Sequence, residues 1–254
     1  MSNLGASIGW GLVIGASLLV GAIAAAAFRL PERVTATITS FGGGVMLAAI
    51  ALELVPEADA QAGVWVTAAG LIAGTLVYVG ADAWLSRDEG MKTTRRSRHA
   101  AAAGGSMTGA DRGEAARGES IAAGLVVDGV PESIALGLTI AEGKIGLALL
   151  IGILIGNLVE AYGAAQPIVT GGHSRWFAIG LLGGIGLALA TATVLGSTVL
   201  ADAPAGLIGG AQAVAAGAVL AVVSISIIPH AFSEVSSLVA TATVFGFVAG
   251  YLLS

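Results

Sequence analysis

Gly44-Val-Met-Leu-Ala-Ala-Ile-Ala-Leu-Glu-Leu-Val-Pro56-Glu-Ala has a counterpart 173 positions later, Gly217-Ala-Val-Leu-Ala-Val-Val-Ser-Ile-Ser-Ile-Ile-Pro229-His-Ala. Pro56 falls on Pro229, Glu53 on Ser226 and Glu57 on His230. Each stretch closes an apolar run of about 20 residues, the length a helix needs to cross a hydrocarbon core of about 30 Å. Outward from these two, runs of this kind recur over residues 8–28, 36–55, 64–85, 121–140, 145–169, 176–200, 205–229 and 237–253. The expected fold is an all-α polytopic membrane protein, a single domain of eight transmembrane helices. The repeated stretches fall in the second and seventh spans. Five helix steps separate them, so they cross in opposite directions, as inverted repeats in secondary transporters do.

Composition supports a membrane as the solvent. The 254 residues are 56% hydrophobic and 11% charged, too few polar groups to cover a water-facing surface. The 39 glycines suit helices that pack backbone to backbone in lipid. With no cysteine, disulfides and thiolate metal sites are excluded. No basic residue precedes the first span, so residues 8–28 are expected to be a retained helix, not a cleaved signal.

Basic residues set the orientation. Arg29 and Arg33 follow the first span, seven more lie from Arg87 to Arg117, and Arg175 follows the fifth. If the helices alternate, all of these share one side and only Lys144 lies on the other. The positive-inside rule then puts the basic side in the cytoplasm and both termini outside, in the cell membrane. Residues 86–118, rich in Arg, Ser, Gly and Ala, read as a flexible cytoplasmic loop whose charges set topology. His99 alone makes no chelating tract, and His173 beside Arg175 has no special role.

The fourth and fifth spans carry a second correspondence, 28 positions apart: Asp128-Gly-Val-Pro-Glu132-Ser against Gly156-Asn-Leu-Val-Glu160-Ala. Asp128 and Glu132 share one helical face, and Asn157 and Glu160 share another. All four fall near mid-membrane, where even a lenient scale charges about 2.5 kcal/mol for a carboxylate. No lysine or arginine lies within any span. Protonation with hydrogen bonding between helices, water or a bound cation must therefore neutralise the three acids, and a divalent cation is the economical choice. Pro131 also leaves the Val127 carbonyl without its helical donor, free to face water or metal.

With these residues in view, the whole chain resembles a ZIP (Zrt-, Irt-like) metal transporter. Eight helices, both ends outside and a variable loop between the third and fourth are features of that family. Its members carry His-Asn-x-Pro-Glu-Gly in the fourth helix, where this chain has Asp128-Gly129-Val130-Pro131-Glu132-Ser133. In the fifth, a similar His-Asn-x-Pro-Glu-Gly or His-Glu-x-Pro-x-Glu corresponds to Gly156-Asn157-Leu158-Val159-Glu160-Ala161, and the second-helix stretch from Gly42 to Glu57 is also similar. The resemblance implies that Glu132 and Glu160 bind or bridge the transported ion. Asp128 stands where a histidine usually ligates, Asn157 completes a second metal position, and Gly129 offers no ligand. It also implies a central pair of fourth and fifth helices and transport by alternating access. Family membership favours zinc, whereas oxygen ligands favour manganese or iron, so the substrate is expected among those three.

Glu57, Asp59 and Asp202 fall at the expected outer face, an acidic mouth that concentrates cations. His230 and Glu234 fall at the inner one. Glu53 and Ser226 lie deeper, with Glu53 either lining or gating a path or bonding to a neighbour. The expected partners are membrane lipid, the divalent ion and a second copy of the chain, since Gly180, Gly183, Gly184 and Gly186 allow close packing within or between subunits. No nucleic acid is expected. Two other functions compete: a proton- or sodium-coupled transporter of another solute, and a metal-binding relative that does not transport. No His-Glu-x-x-His and no nucleophile paired with a base appears, so the chain is not expected to be an enzyme.

Overall fold

In the computed structural model, residues 2–102, 109–143, 146–199, 203–228 and 237–254 are described, and they are helical almost throughout with no strand among them. The helices are α1 (Ser2–Ala27), α2 (Glu32–Ala49), α3 (Val55–Ala62), α4 (Val64–Ala102), α5 (Gly109–Ala141), α6 (Leu147–Thr170), α7 (Arg175–Val199), α8 (Ala205–Val222) and α9 (Ser237–Leu253). A five-residue π-helical turn, Ile50–Leu54, joins α2 to α3, and another, Val223–Ile227, follows α8. Seven segments are long and apolar enough to cross a membrane; α9 is a shorter apolar helix of 17 residues. An all-helical chain suits hydrocarbon because every interior backbone donor finds its acceptor within the segment.

Helix carries on into both ends of the segment expected to be a flexible loop. α4 continues to Ala102 and α5 begins at Gly109, while only Val64–Ala83 and Ala122–Ala141 have membrane-crossing composition. Ala, Arg, Lys, Glu and Met in the polar parts are good helix formers, which composition alone did not separate from a linker. Gly63 and Gly143, at φ of 80° and 77°, occupy the tight turns before α4 and α6, where the backbone takes a left-handed conformation that a side chain would strain.

The 173-residue offset extends well beyond the stretch that revealed it. α2 and α8 start at 32 and 205. α2 and α8 each have 18 residues, and each follows a proline in extended conformation, Pro31 (φ −60°, ψ 139°) and Pro204 (φ −58°, ψ 143°). The two π turns also lie 173 residues apart. Neither π turn was legible in sequence, since an extra residue in one helical turn leaves no mark on a wholly apolar pattern.

Packing follows the same exchange. α1 packs on α7 and α5 on α6; α2 on α9 matches α8 on α4; α1 on α6 matches α7 on α5; α2 on α6 matches α8 on α5. Small residues make the crossings. A Cβ on Gly15 would come within 2.8 Å of the Gly186 carbonyl oxygen, and one on Gly186 within 2.7 Å of that of Gly15. Gly44 is pressed on the Thr243 carbonyl just as Gly217 is pressed on that of Leu71. Likewise Gly246 meets the Phe41 carbonyl and Gly74 that of Val214. Backbones approach this closely only where side chains are missing. The register also gives direction: Phe41 lies by Gly246 and Val45 by Gly250, so α2 and α9 run parallel, whereas Gly11 by Ala190 and Gly15 by Gly186 make α1 and α7 antiparallel.

Candidate cation site

The α5–α6 pair at the centre of this arrangement brings the two polar stripes together. Asp128 and Glu132 are buried on α5, and Asn157 on α6 is 1% exposed, with Glu160 one turn further on and partly buried. Glu132 lies within electrostatic reach of both Glu160 and Asp128, and Glu160 of Asp128, so three carboxylates from two helices act on one another. Like charges this close repel when ionised, and low surrounding polarity strengthens the repulsion.

The neutral groups around the acids are incompletely satisfied. Asn157 Nδ2 and Ser133 Oγ are enclosed and have no hydrogen-bond partner among the described residues. Such atoms are uncommon in interiors and point to a role or a bound species. Among the described residues, no three His, Asp or Glu side chains converge tightly enough to hold a metal by themselves. An ion at this place therefore draws on amide, hydroxyl or backbone oxygens as well. Pro131 lies inside α5, consistent with a Val127 carbonyl lacking its helical donor.

One member of the site was not foreseen. Tyr78, fully enclosed on α4, donates its hydroxyl proton to Asp128 Oδ1 at 2.6 Å. In sequence it is one aromatic in an apolar run, and only the packing of α4 against α5 gives it a partner. Its counterpart at the 173-residue offset is Tyr251.

Two glycines beside these residues, Gly129 and Gly156, differ in the room around them. A Cβ on Gly129 would come within 2.6 Å of Leu189 Cδ1, and Leu189 is itself fully buried, so α7 fills the space a longer side chain would need. A Cβ on Gly156 would meet nothing within 4 Å. The α6 side of the site thus keeps open room where the α5 side does not.

The expected pathway residues are spread along the bundle. Glu53, inside the first π turn, reaches the start of α6, where the amides of Ala148 and Leu149 and the Ser254 hydroxyl face its carboxylate. A helix N-terminus favours a negative group, so the start of α6 attracts the Glu53 carboxylate, while its buried Oε2 has no hydrogen-bond partner among the described residues. Its Oε2 packs against Gly146, where any side chain would collide with it. Glu57 is half-buried on α3 and Asp59 exposed. Ser226 falls in the second π turn, while His230, Glu234, Asp202 and Lys144 lie outside the described residues. His173 stacks on Phe177 with ring centroids 4.6 Å apart, next to the turn before α7. Gly5-Ala-Ser7-Ile-Gly9 spells a nucleophile motif, but it lies within α1 and not at the strand-to-helix turn that such a motif requires.

Compared with protein-family models and with curated proteins, the chain matches none.

Proposed function

We propose that this protein is a divalent-cation carrier of the ZIP type, moving zinc, iron or manganese toward the cytoplasm through the site formed by Asp128, Glu132, Asn157 and Glu160. The observation that carries the reading is the meeting of three carboxylates between two helices whose membrane-crossing stretches, Ala122–Ala141 and Leu147–Thr170, hold no lysine or arginine. A cation gives the acids their missing counter-charge, and the unpartnered Asn157 and Ser133 atoms mark a polar space beside them. The fold supports a carrier as well. In this reading α9 is the eighth crossing; its 17 residues rise about 25 Å, near the lower limit for a span. The units 1–81 and 174–254 are then inverted repeats flanking α5 and α6, with both termini outside, and the interchangeable packing gives two equivalent ways of opening around a central site.

Uptake of Zn²⁺, Fe²⁺ and Mn²⁺ into proteoliposomes, measured for the native protein and for Glu132→Gln and Glu160→Gln, tests the proposal. Saturable uptake that both substitutions abolish is expected. No uptake of any of these ions by folded protein refutes it. A second reading, a proton- or sodium-coupled carrier of another solute, draws support from the absence of a closed three-residue metal cage among the described residues. It predicts proton or sodium flux in the same vesicles without a divalent ion.

A further inference from the structure

Basic and aromatic side chains from three segments gather at the end of the bundle where α1 stops and α7 starts. Antiparallel contact sets the register there, with Gly11 against Ala190, Gly15 against Gly186 and Leu19 against Gly183. Continued to the end of α1, the same register puts Ala27 level with Arg175, the first residue of α7. Tyr162 of α6 fixes the link that follows α1. Its hydroxyl donates to the Phe28 carbonyl at 3.1 Å and accepts from the Leu30 amide at 2.6 Å. The backbone of Arg29 lies between these two bonds, and Arg33 falls in the first turn of α2.

Arg29, Arg33 and Arg175 are all exposed, and among the described residues none of their guanidinium groups has an ion-pair or hydrogen-bond partner. Across 24–40 and 166–185 the sequence holds these three arginines and one acid, Glu32, a formal charge of +2 with the histidine neutral. Beside them Phe28 is 68% exposed and Trp176 76%, and further along α1 Val20 and Ile23 are exposed as well. Aromatic rings collect where hydrocarbon meets headgroups, since they are large, apolar and tolerant of water at one edge. Guanidinium groups hold phosphate oxygens through paired donors. A surface with arginines at its end, rings next and aliphatic side chains beyond matches a molecule with a phosphate at one end and acyl chains at the other.

We propose that Arg29, Arg33 and Arg175, with Phe28 and Trp176, form a docking site for the headgroup of an anionic phospholipid. The two bonds to Tyr162 order the backbone around Arg29 before any lipid arrives, which lowers the cost of binding. In the orientation proposed above the site faces the cytoplasmic leaflet, whose anionic lipids attract basic groups near the membrane surface. The site concerns the solvent of the bundle and not its cargo, so it does not depend on the carrier reading.

The test is native mass spectrometry of the purified full chain in a nonionic detergent, titrated with phosphatidylglycerol and with phosphatidylcholine of the same acyl chains. The native protein is expected to bind phosphatidylglycerol at least about tenfold more tightly. Arg29→Gln/Arg33→Gln/Arg175→Gln is expected to lose that preference. Arg95→Gln/Arg96→Gln/Arg98→Gln, which removes the same charge from the segment 86–118, is expected to keep it. Elution profile and melting temperature identify variants that fold; should the first triple variant not fold, Arg175→Gln alone is expected to reduce the preference at least about twofold. Equal affinity of the native protein for the two lipids overturns the proposal, and so does an equal loss in the two triple variants or an unchanged preference in folded Arg175→Gln. Displacement of bound phosphatidylglycerol by excess inorganic phosphate also overturns it, since the arginines then hold a free anion and not a lipid.

Discussion

Tyr78→Phe removes one hydroxyl from the candidate site and alters nothing else in shape. The lost bond is short, 2.6 Å, and runs between an enclosed tyrosine and a buried aspartate. Taking away the donor to a buried acceptor costs about 1–3 kcal/mol. If Tyr78 fixes Asp128 for the ion, that loss reaches the cation affinity, and about 1.4 kcal/mol is a tenfold change, so KM for uptake rises roughly five- to 140-fold. If the bond serves only to hold α4 on α5, the same energy lowers the melting temperature instead, by about 2–4 °C for each kcal/mol. The assay is saturable uptake in proteoliposomes with melting temperature measured on the same preparation. The site reading expects KM to move while the melting temperature moves by less than the full amount. A variant whose KM and melting temperature both match the native protein refutes the role given to this bond.

Two further outcomes bear on the site and the topology. Gly156→His is expected to fold normally, because the space around it is open, and to raise Zn²⁺ over Mn²⁺ uptake, because imidazole prefers zinc; Gly129→Asn forces Leu189 aside and is expected to cost about 1–3 kcal/mol of stability. Equal melting temperatures for these two variants contradict the packing difference. The chain has no cysteine, so single cysteines at exposed Asp59 and Ser174 report sidedness: an impermeant maleimide on intact cells should label Asp59→Cys and leave Ser174→Cys untouched. Labelling of Ser174→Cys alone reverses the orientation, and labelling of both contradicts the alternating topology.

The helical spans were legible because a bilayer imposes one length and one polarity on each crossing, and the apolar runs around Leu18, Met46, Ile153 and Leu189 became buried faces. The repeat was legible only at Pro56 and Pro229, where a residue with fixed backbone geometry survives amid interchangeable Ala, Val, Leu and Ile. Helix starts and packing carry it much further, since shape tolerates apolar exchanges that erase sequence similarity. Asp128, Glu132, Asn157 and Glu160 stood out because polar groups at mid-span are costly. Tyr78 did not, as its role depends on which helix lies opposite. Glu53 was identified as unusual, but the first amides of α6, which its carboxylate faces, come from a segment nearly a hundred residues away.

The two π turns give the bundle a mechanical property beyond its symmetry. A π turn holds one residue more than the α-helical turn it interrupts, and this surplus behaves like a dislocation in a crystal: it can pass along the rod one residue at a time while the rod stays intact. Each step exchanges one hydrogen-bond register for its neighbour and turns the residue it passes by about 100° around the axis. Glu53 and Ser226 both lie inside such a dislocation. A displacement of the first by a single position swings the Glu53 side chain around the helix axis without melting the membrane span that carries it.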